Sequence, residues 1–201
     1  YIDDVDPTTD PTAAMVSPEA TQEIVETEVP TETSEEKVGD MITIQVVYDN
    51  YYFGSGLSTD WGFSAFISYQ DKNVLFDKGA NGSILINNMS SMNIDPSQVQ
   101  NVVLSHQHGD HTGGLRSILS SGAVPKIYLL PSFTGLYKSA YQDEVEVIEV
   151  SPDEQLTDRI FSTGEIPGAV HEQAILIETA KGLVVITGCA HPGVVRMVEG
   201  A

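Results

Sequence analysis

The segment that most constrains this chain runs Val102-Val103-Leu104-Ser105-His106-Gln107-His108-Gly109-Asp110-His111-Thr112-Gly113-Gly114. A short apolar strand ends at Ser105, and three of the chain's five histidines follow within six residues, together with an aspartate. Residues i and i+2 of an extended segment point to the same side. The spacing therefore lets His106 and His108 converge on one metal ion. Asp110 and His111, on the turn beyond, reach a second position beside it. Imidazole and carboxylate ligands suit zinc, with iron or manganese as alternatives. The loop at the end of a strand is where scaffolds place binding and catalytic groups.

A second strand exit repeats the pattern. Leu183-Val184-Val185-Ile186-Thr187 leads into Gly188-Cys189-Ala190-His191. His191 is the natural third ligand for the ion held by His106 and His108. A structural zinc closes its shell with four protein ligands, commonly cysteines. No cysteine lies near the histidine loop, so the pattern predicts an open, catalytic site that keeps a water position. Metal-bound hydroxide is then available at neutral pH, with Asp110 placed to orient or deprotonate the water. The single cysteine, Cys189, reads as core or loop packing, since small buried thiols are common.

The rest of the chain divides near residue 40. Residues 1–40 hold twelve acids and one base, for a net charge of −11, with seven Thr and four Pro. Such a stretch buries too little apolar surface to offset chain entropy. It reads as a disordered stalk or linker, downstream of an export signal or lipid anchor. That implies an extracytoplasmic, exported or surface-anchored protein, with a cytoplasmic protein carrying an acidic tail as the alternative. Residues 41–201 hold 17 acids and 8 bases and read as one globular domain. The whole-chain charge of −20 excludes a nucleic-acid surface, which needs clustered Lys and Arg. It also disfavours anionic lipid. No run of about 18 apolar residues is present to insert into a membrane, so the expected partner is a small-molecule substrate.

Strands are expected at 41–48, 62–69, 74–77, 102–104, 126–130, 145–150, 174–178 and 183–187, where Val, Ile, Phe and Tyr cluster between turn residues. Asp71-Lys72-Asn73 reads as a hairpin turn. Helices are expected at 83–92, 114–121, 132–140 with Ser132 as N-cap, and 192–199 with Pro192 in the first turn. The pattern gives an α/β (α+β) domain, a sheet with helices packed outside. Tyr51, Tyr52, Trp61 and Phe63 read as core aromatics, with Trp61 also a candidate wall for a substrate. Asp49 reads as a turn residue beside Asn50 or as part of the pocket floor. Arg116 and Lys78 are the cations available to a phosphate-bearing substrate.

These motifs resemble the metallo-β-lactamase superfamily. The resemblance rests on Ser105–Gly114, the His-x-His-x-Asp-His signature with its Thr-Gly-Gly continuation, on Val74-Leu75-Phe76-Asp77-Lys78-Gly79, and on Thr187–His191. It covers about residues 41–201. Within that superfamily the chain looks most like the branch around the methanopterin-pathway ribofuranosylaminobenzene phosphate synthases, through Val47–Asn50, Asp60–Ser64, Glu172–Ala174 and Gly188–Gly193. The resemblance implies a four-layer αββα sandwich with two divalent metals at one edge. Metal 1 would be held by His106, His108 and His191, and metal 2 by Asp110 and His111. Asp77 would stand behind a ligand histidine and orient it. Family members usually continue past the third histidine with a bridging acid and a last histidine. This sequence ends ten residues after His191, so the sandwich is expected to be incomplete at its C-terminal side. His171 and Glu172 are then candidates to fill metal 2. The implied activity is metal-dependent hydrolysis of a small ester, lactone, thioester or phosphoester. The alternatives are a pterin or ribosyl phosphate synthase-like transferase and a non-enzymatic metal-binding surface module.

Overall fold

The computed structural model describes residues 41–201. The acidic stalk or linker read at 1–40 lies outside them, as do the expectations of export and anchoring that depend on it.

Among the described residues, ten strands form two sheets. The first contains β1 (Ile42–Tyr48), β2 (Ser64–Tyr69), β3 (Lys72–Phe76), β4 (Asn101–Val103), β5 (Lys126–Leu129) and β6 (Val147–Glu149), in that spatial order. β1, β2 and β3 are antiparallel, whereas β3 through β6 run parallel. The parallel half needs crossovers, as parallel pairing always does. They are supplied by α1 (Gly82–Ser91) and by α2 (Gly109–Thr112) with α3 (Leu115–Ser120), and α4 (Gly135–Ser139) precedes β6. The second sheet is wholly antiparallel, in the order β10 (Gly182–Ile186), β9 (Ile175–Thr179), β8 (Ile160–Ser162), β7 (Glu154–Thr157). α5 (Val194–Glu199) follows it.

β2, β3 and β4 are buried residue after residue, without the alternation of a half-wet sheet. Both of their faces are therefore covered. One continuous apolar cluster joins Val74, Leu75, Val102 and Ile127 of the first sheet to Leu156, Ile160, Ile175 and Ile177 of the second. Leu85 and Met89 of α1 and Leu115 and Ile118 of α3 belong to the same cluster. These layers are those of the αββα fold. On its last side the described residues contribute α5 alone, and β10 lies at the sheet edge with Leu183 exposed.

Several boundaries differ from the sequence reading. The β2–β3 hairpin turns at Gln70-Asp71, one residue early, because Tyr69 pairs with Lys72 and Gln70 takes φ 53. α4 is capped by Thr134, whose hydroxyl accepts the Tyr137 amide, and not by Ser132, whose amide donates to Glu165. α5 starts at Val194, since Gly193 at φ 100 interrupts any helix from Pro192. The β7–β8 hairpin was not foreseen, because strands of three or four residues are too short to carry a pattern. Tyr51, Tyr52 and Trp61 are not core: they are 79%, 69% and 68% exposed. Only Phe63 packs inward, edge-on to Phe76.

Candidate metal centre

The centre forms where the parallel strands end. Asp77 directly follows β3, and Ser105 and His106 follow β4 two residues after its end. Asp77 sits at φ 52, a conformation Asp tolerates better than most residues. Its carboxylate is fully buried and takes three donors. Oδ1 accepts the Ser105 amide at 2.8 Å, and Oδ2 accepts the Ser105 hydroxyl at 2.7 Å. Oδ2 also lies 2.6 Å from His111 Nδ1.

This arrangement fixes two imidazole tautomers. A carboxylate only accepts, so His111 carries its proton on Nδ1 and leaves Nε2 with a free lone pair. The Ser105 proton is committed to Asp77, so Ser105 Oγ accepts from His106 Nδ1, 2.8 Å away. His106 Nε2 is thereby freed as well. It points at His108 Nδ1, 3.0 Å distant. The His191 ring completes the group, with its centroid 4.7 Å from that of His106 and 4.9 Å from that of His108. One ligand atom from each of these three side chains lies within 4.8 Å of the others. The first loop and the distant strand exit thus meet at this point.

Burial and the positive potential of His111 push the His106 pKa down to about 4, against the opposing pull of Asp77. His106 is therefore neutral at physiological pH, the form that ligates a metal. Burial works against a charge on His111 as well, but the bonded Asp77 carboxylate outweighs it, helped by Asp110 and Glu172, and raises its pKa. Three converging imidazoles, one of them with its free lone pair defined, are a donor set that fits a divalent cation.

Neither loop is free to drift. The Gln107 side chain exchanges two hydrogen bonds with Thr134, the α4 cap, at 2.7 and 2.9 Å. Glu172 and Gln173, adjacent and fully buried, tie the two histidine loops together. Gln173 donates from its amide to Ser105 O and from Nε2 to Leu104 O. Glu172 accepts the His191 amide at 2.8 Å, the Ala190 amide at 3.0 Å and the Thr187 hydroxyl at 3.2 Å. Glu172 therefore holds the third-histidine loop by its backbone, not as a stand-in metal ligand. His171 pairs with Glu165 at 2.7 Å, away from the role suggested for it.

The remaining sequence candidates are placed as follows. Asp110 Oδ2 lies 3.5 Å from His111 Nε2, partly open to solvent. Gly62 packs on the Asp110 carbonyl so closely that a Cβ there would fall 2.0 Å from the oxygen. That contact brings the 49–63 loop, with exposed Trp61, against the start of α2. Asp49 caps its own turn, accepting the Tyr51 amide at 3.3 Å. Arg116 is engaged by both Glu144 oxygens at 2.7 Å and lies over the Tyr141 ring. Lys78 is fully buried and donates to Leu75 O and Val103 O at the strand ends. It is thus unavailable to a substrate phosphate.

Two residues were underread. Ser105 relays Asp77 to His106, and its place between the apolar strand and the first histidine was the available signal. Cys189, read as packing, instead presents Sγ 3.1 Å from His111 Nε2. Burial, with Asp110, Glu172 and Asp77 nearby, pushes this thiol up to about 11.

A family model described as the metallo-beta-lactamase superfamily matches residues 62–192. The chain belongs to this superfamily. It is 28% identical over 211 residues to the 7,8-dihydropterin-6-methyl-4-(beta-D-ribofuranosyl)-aminobenzene-5'-phosphate synthase of Methanocaldococcus jannaschii, covering 80% of this chain and 71% of that protein. Among solved structures, the metallo-beta-lactamase fold protein YhfI from Bacillus subtilis superposes with a TM-score of 0.53 at 18% identity, over 72% of this chain and 61% of that one. An N-acyl homoserine lactone hydrolase, solved with N-hexanoyl-L-homoserine at its catalytic metal center, gives a TM-score of 0.51 at 15% identity, over 72% and 73%. The chain is thus an enzyme of the metallo-beta-lactamase fold with a histidine-rich candidate metal site.

Proposed function

We propose that this enzyme hydrolyses a small ester, lactone, thioester or phosphoester, with a zinc ion at His106, His108 and His191 and a second ion beside Asp110 and His111. The carrying observation is the convergence of three imidazoles from two loops, with one ligand atom of each within 4.8 Å of the others. A divalent cation bound there supplies a Lewis acid for the substrate oxygen and lowers the pKa of water to about 7. The chain's own residues do the remaining work. Ser105 and Asp77 hold His106 and His111 in their ligating tautomers. Asp110 Oδ2, on the open side, takes up the proton of the attacking water. Trp61 would supply an apolar wall at the mouth, a role supported by the packing of its neighbour Gly62 on the Asp110 carbonyl. The net charge of −20 disfavours polyanionic substrates. The acidic Thr- and Pro-rich segment 1–40 supports an extracytoplasmic setting.

The likeness to the aminobenzene phosphate synthase supports a second reading, transfer chemistry on a phosphorylated ribosyl substrate. The engagement of Arg116 and Lys78 with protein partners favours hydrolysis. The test is metal analysis with a panel of ester, lactone, thioester and phosphodiester substrates. His108→Ala should lose one metal equivalent and all turnover. Full metal content in that variant would refute the ligand assignment, and turnover of only the synthase substrates would favour the second reading.

A further inference from the structure

The turn between β8 and β9 carries an ionisable pair that the metal centre does not use. Ile166 and Glu172 exchange two backbone hydrogen bonds, at 2.9 and 3.1 Å. Side chains alternate across such an extended pair, so Glu172 faces one way and Glu165, His171 and Gln173 the other. Glu172 reaches the amides of Ala190 and His191. The opposite face looks onto the first histidine loop, since the Gln173 side chain donates to Leu104 O. β9 and β10 are antiparallel, so β9 starts at the end of the sheet where β10 gives way to His191. Going from Gln173 back to His171 therefore moves about 6–7 Å toward that end.

His171 Nδ1 lies 2.7 Å from Glu165 Oε1, and Glu165 Oε2 accepts the Ser132 amide at 2.8 Å. Ser132 lies two residues before Thr134, whose hydrogen bonds hold Gln107 between His106 and His108. On the other side, a Cβ on Gly168 would fall 2.8 Å from the Cα of Pro192, the neighbour of His191. The pair thus stands between the two histidine loops. Burial opposes a charge on Glu165, but hydrogen bonds from His171 and Ser132 outweigh it and hold the carboxyl below its ordinary value. A carboxylate only accepts, so His171 keeps a proton on Nδ1. With the side chain 41% exposed, Nε2 is the nitrogen that exchanges protons.

We propose that His171 is the general acid of this enzyme, protonating the oxygen that leaves an ester or lactone, with Glu165 as its positioning residue. The proposal deepens the hydrolase reading above and rests on it. Water adds to the carbonyl carbon and its proton goes to Asp110. The bond from that carbon to the leaving oxygen breaks, its electron pair stays on the oxygen, and His171 Nε2 supplies the proton. The acid and the alcohol are the products. His171 is left neutral with Nδ1 still bonded to Glu165, and the proton on Asp110 returns to Nε2 through solvent.

Two acetate esters that differ in leaving group test this on the zinc-loaded full chain. An alkoxide needs a proton to depart, whereas para-nitrophenolate does not. His171→Gln should lower kcat/KM for ethyl acetate by about 100-fold and for para-nitrophenyl acetate far less, with native zinc content. Glu165→Gln should shift the same ratio in the same direction. A readout without turnover is nitrogen NMR of the metal-free chain, with the His171 signal assigned by its loss in His171→Gln. Neutral His171 should carry its proton on Nδ1. Equal losses on both esters, no loss on either, loss of zinc in His171→Gln, or a neutral tautomer protonated on Nε2 would each overturn the proposal and leave the hydrolase reading standing. A native chain that hydrolyses neither ester would overturn the ester reading and this proposal together.

Discussion

Asp77 and His111, 34 residues apart, share a buried 2.6 Å contact between Oδ2 and Nδ1. Through it one carboxylate fixes the His111 tautomer directly, and through the Ser105 hydroxyl it fixes that of His106. An amide in place of Asp77 is isosteric but carries one acceptor and one donor. Asp77→Asn should therefore leave one of the two imidazoles with its proton on the metal-facing nitrogen. Loss of such an orienting partner costs about 10–100-fold in metal affinity. Competition with a chelator of known affinity measures that loss. Nitrogen NMR of the imidazoles should show the changed tautomer, which simple loosening of the fold would not produce. Unaltered affinity would remove Asp77 from this role.

Glu172 is the corresponding anchor for the other loop. Its three donors, Thr187, Ala190 and His191, divide between its two oxygens. In Glu172→Gln the new amide nitrogen must face at least one former donor. Each buried group left unpaired costs about 1–3 kcal/mol. Urea denaturation of the metal-free variant should show a loss of that order, and amide exchange at Ala190 and His191 should accelerate. Protection at those two amides equal to that of the native chain would show that the loop is held by something else.

The site was legible in the sequence to the extent that its donors are local. His106, His108, Asp110 and His111 fall within six residues after an apolar strand; the i, i+2 spacing brings His106 and His108 together, while Asp110 and His111 lie on α2. His191 was legible through a second strand exit of the same kind. The buried supports were not, because they depend on pairing between distant segments. Nothing in Glu172-Gln173 marks two polar residues for complete burial. Only the assembled sheets show that their hydrogen bonds span Leu104, Ser105 and residues 187–191. The exposure of Cys189 and its approach to His111 were hidden for a related reason, since they depend on where His111 lies. The aromatic run at 51–63 was assigned to the core by residue type, but the loop carrying it lies over the surface, pinned by the Asn88 side chain to Val47 O and to both backbone groups of Ser58.

The same loop is fixed at its far end by Gly62, at φ 125 and with the Asp110 carbonyl where a side chain would begin. Gly62→Ala combines an unfavourable backbone conformation with a clash against backbone, and neither can be relieved by turning a side chain. A strained position of this kind costs about 1–3 kcal/mol, and the clash adds to it. The thermal midpoint should fall, and displacement of Asp110 should weaken binding at the second metal position more than at the first. A Gly62→Ala protein with native stability and two metals of native affinity would mean that the loop does not bear on α2.

Lys78 gives the domain a pH dependence of its own. Burial pushes its pKa from 10.5 down to about 7, against the opposing attraction of Asp77. The unfolded chain keeps this proton up to the ordinary lysine value, whereas the folded chain releases it near 7. Between those limits the unfolded state binds more protons, so folding stability rises with pH. Below about 7 both states are protonated, and the folded state carries the full cost of burying the charge. In Lys78→Met that slope disappears, and Leu75 O and Val103 O lose a donor at every pH. The variant should therefore compare worst with the native chain near pH 10 and best near pH 6. Urea denaturation of both proteins, metal-free, at pH 6, 8 and 10 measures the difference. A gap independent of pH would mean that Lys78 reaches water in the native state, and that its two carbonyl bonds alone account for its place in the fold.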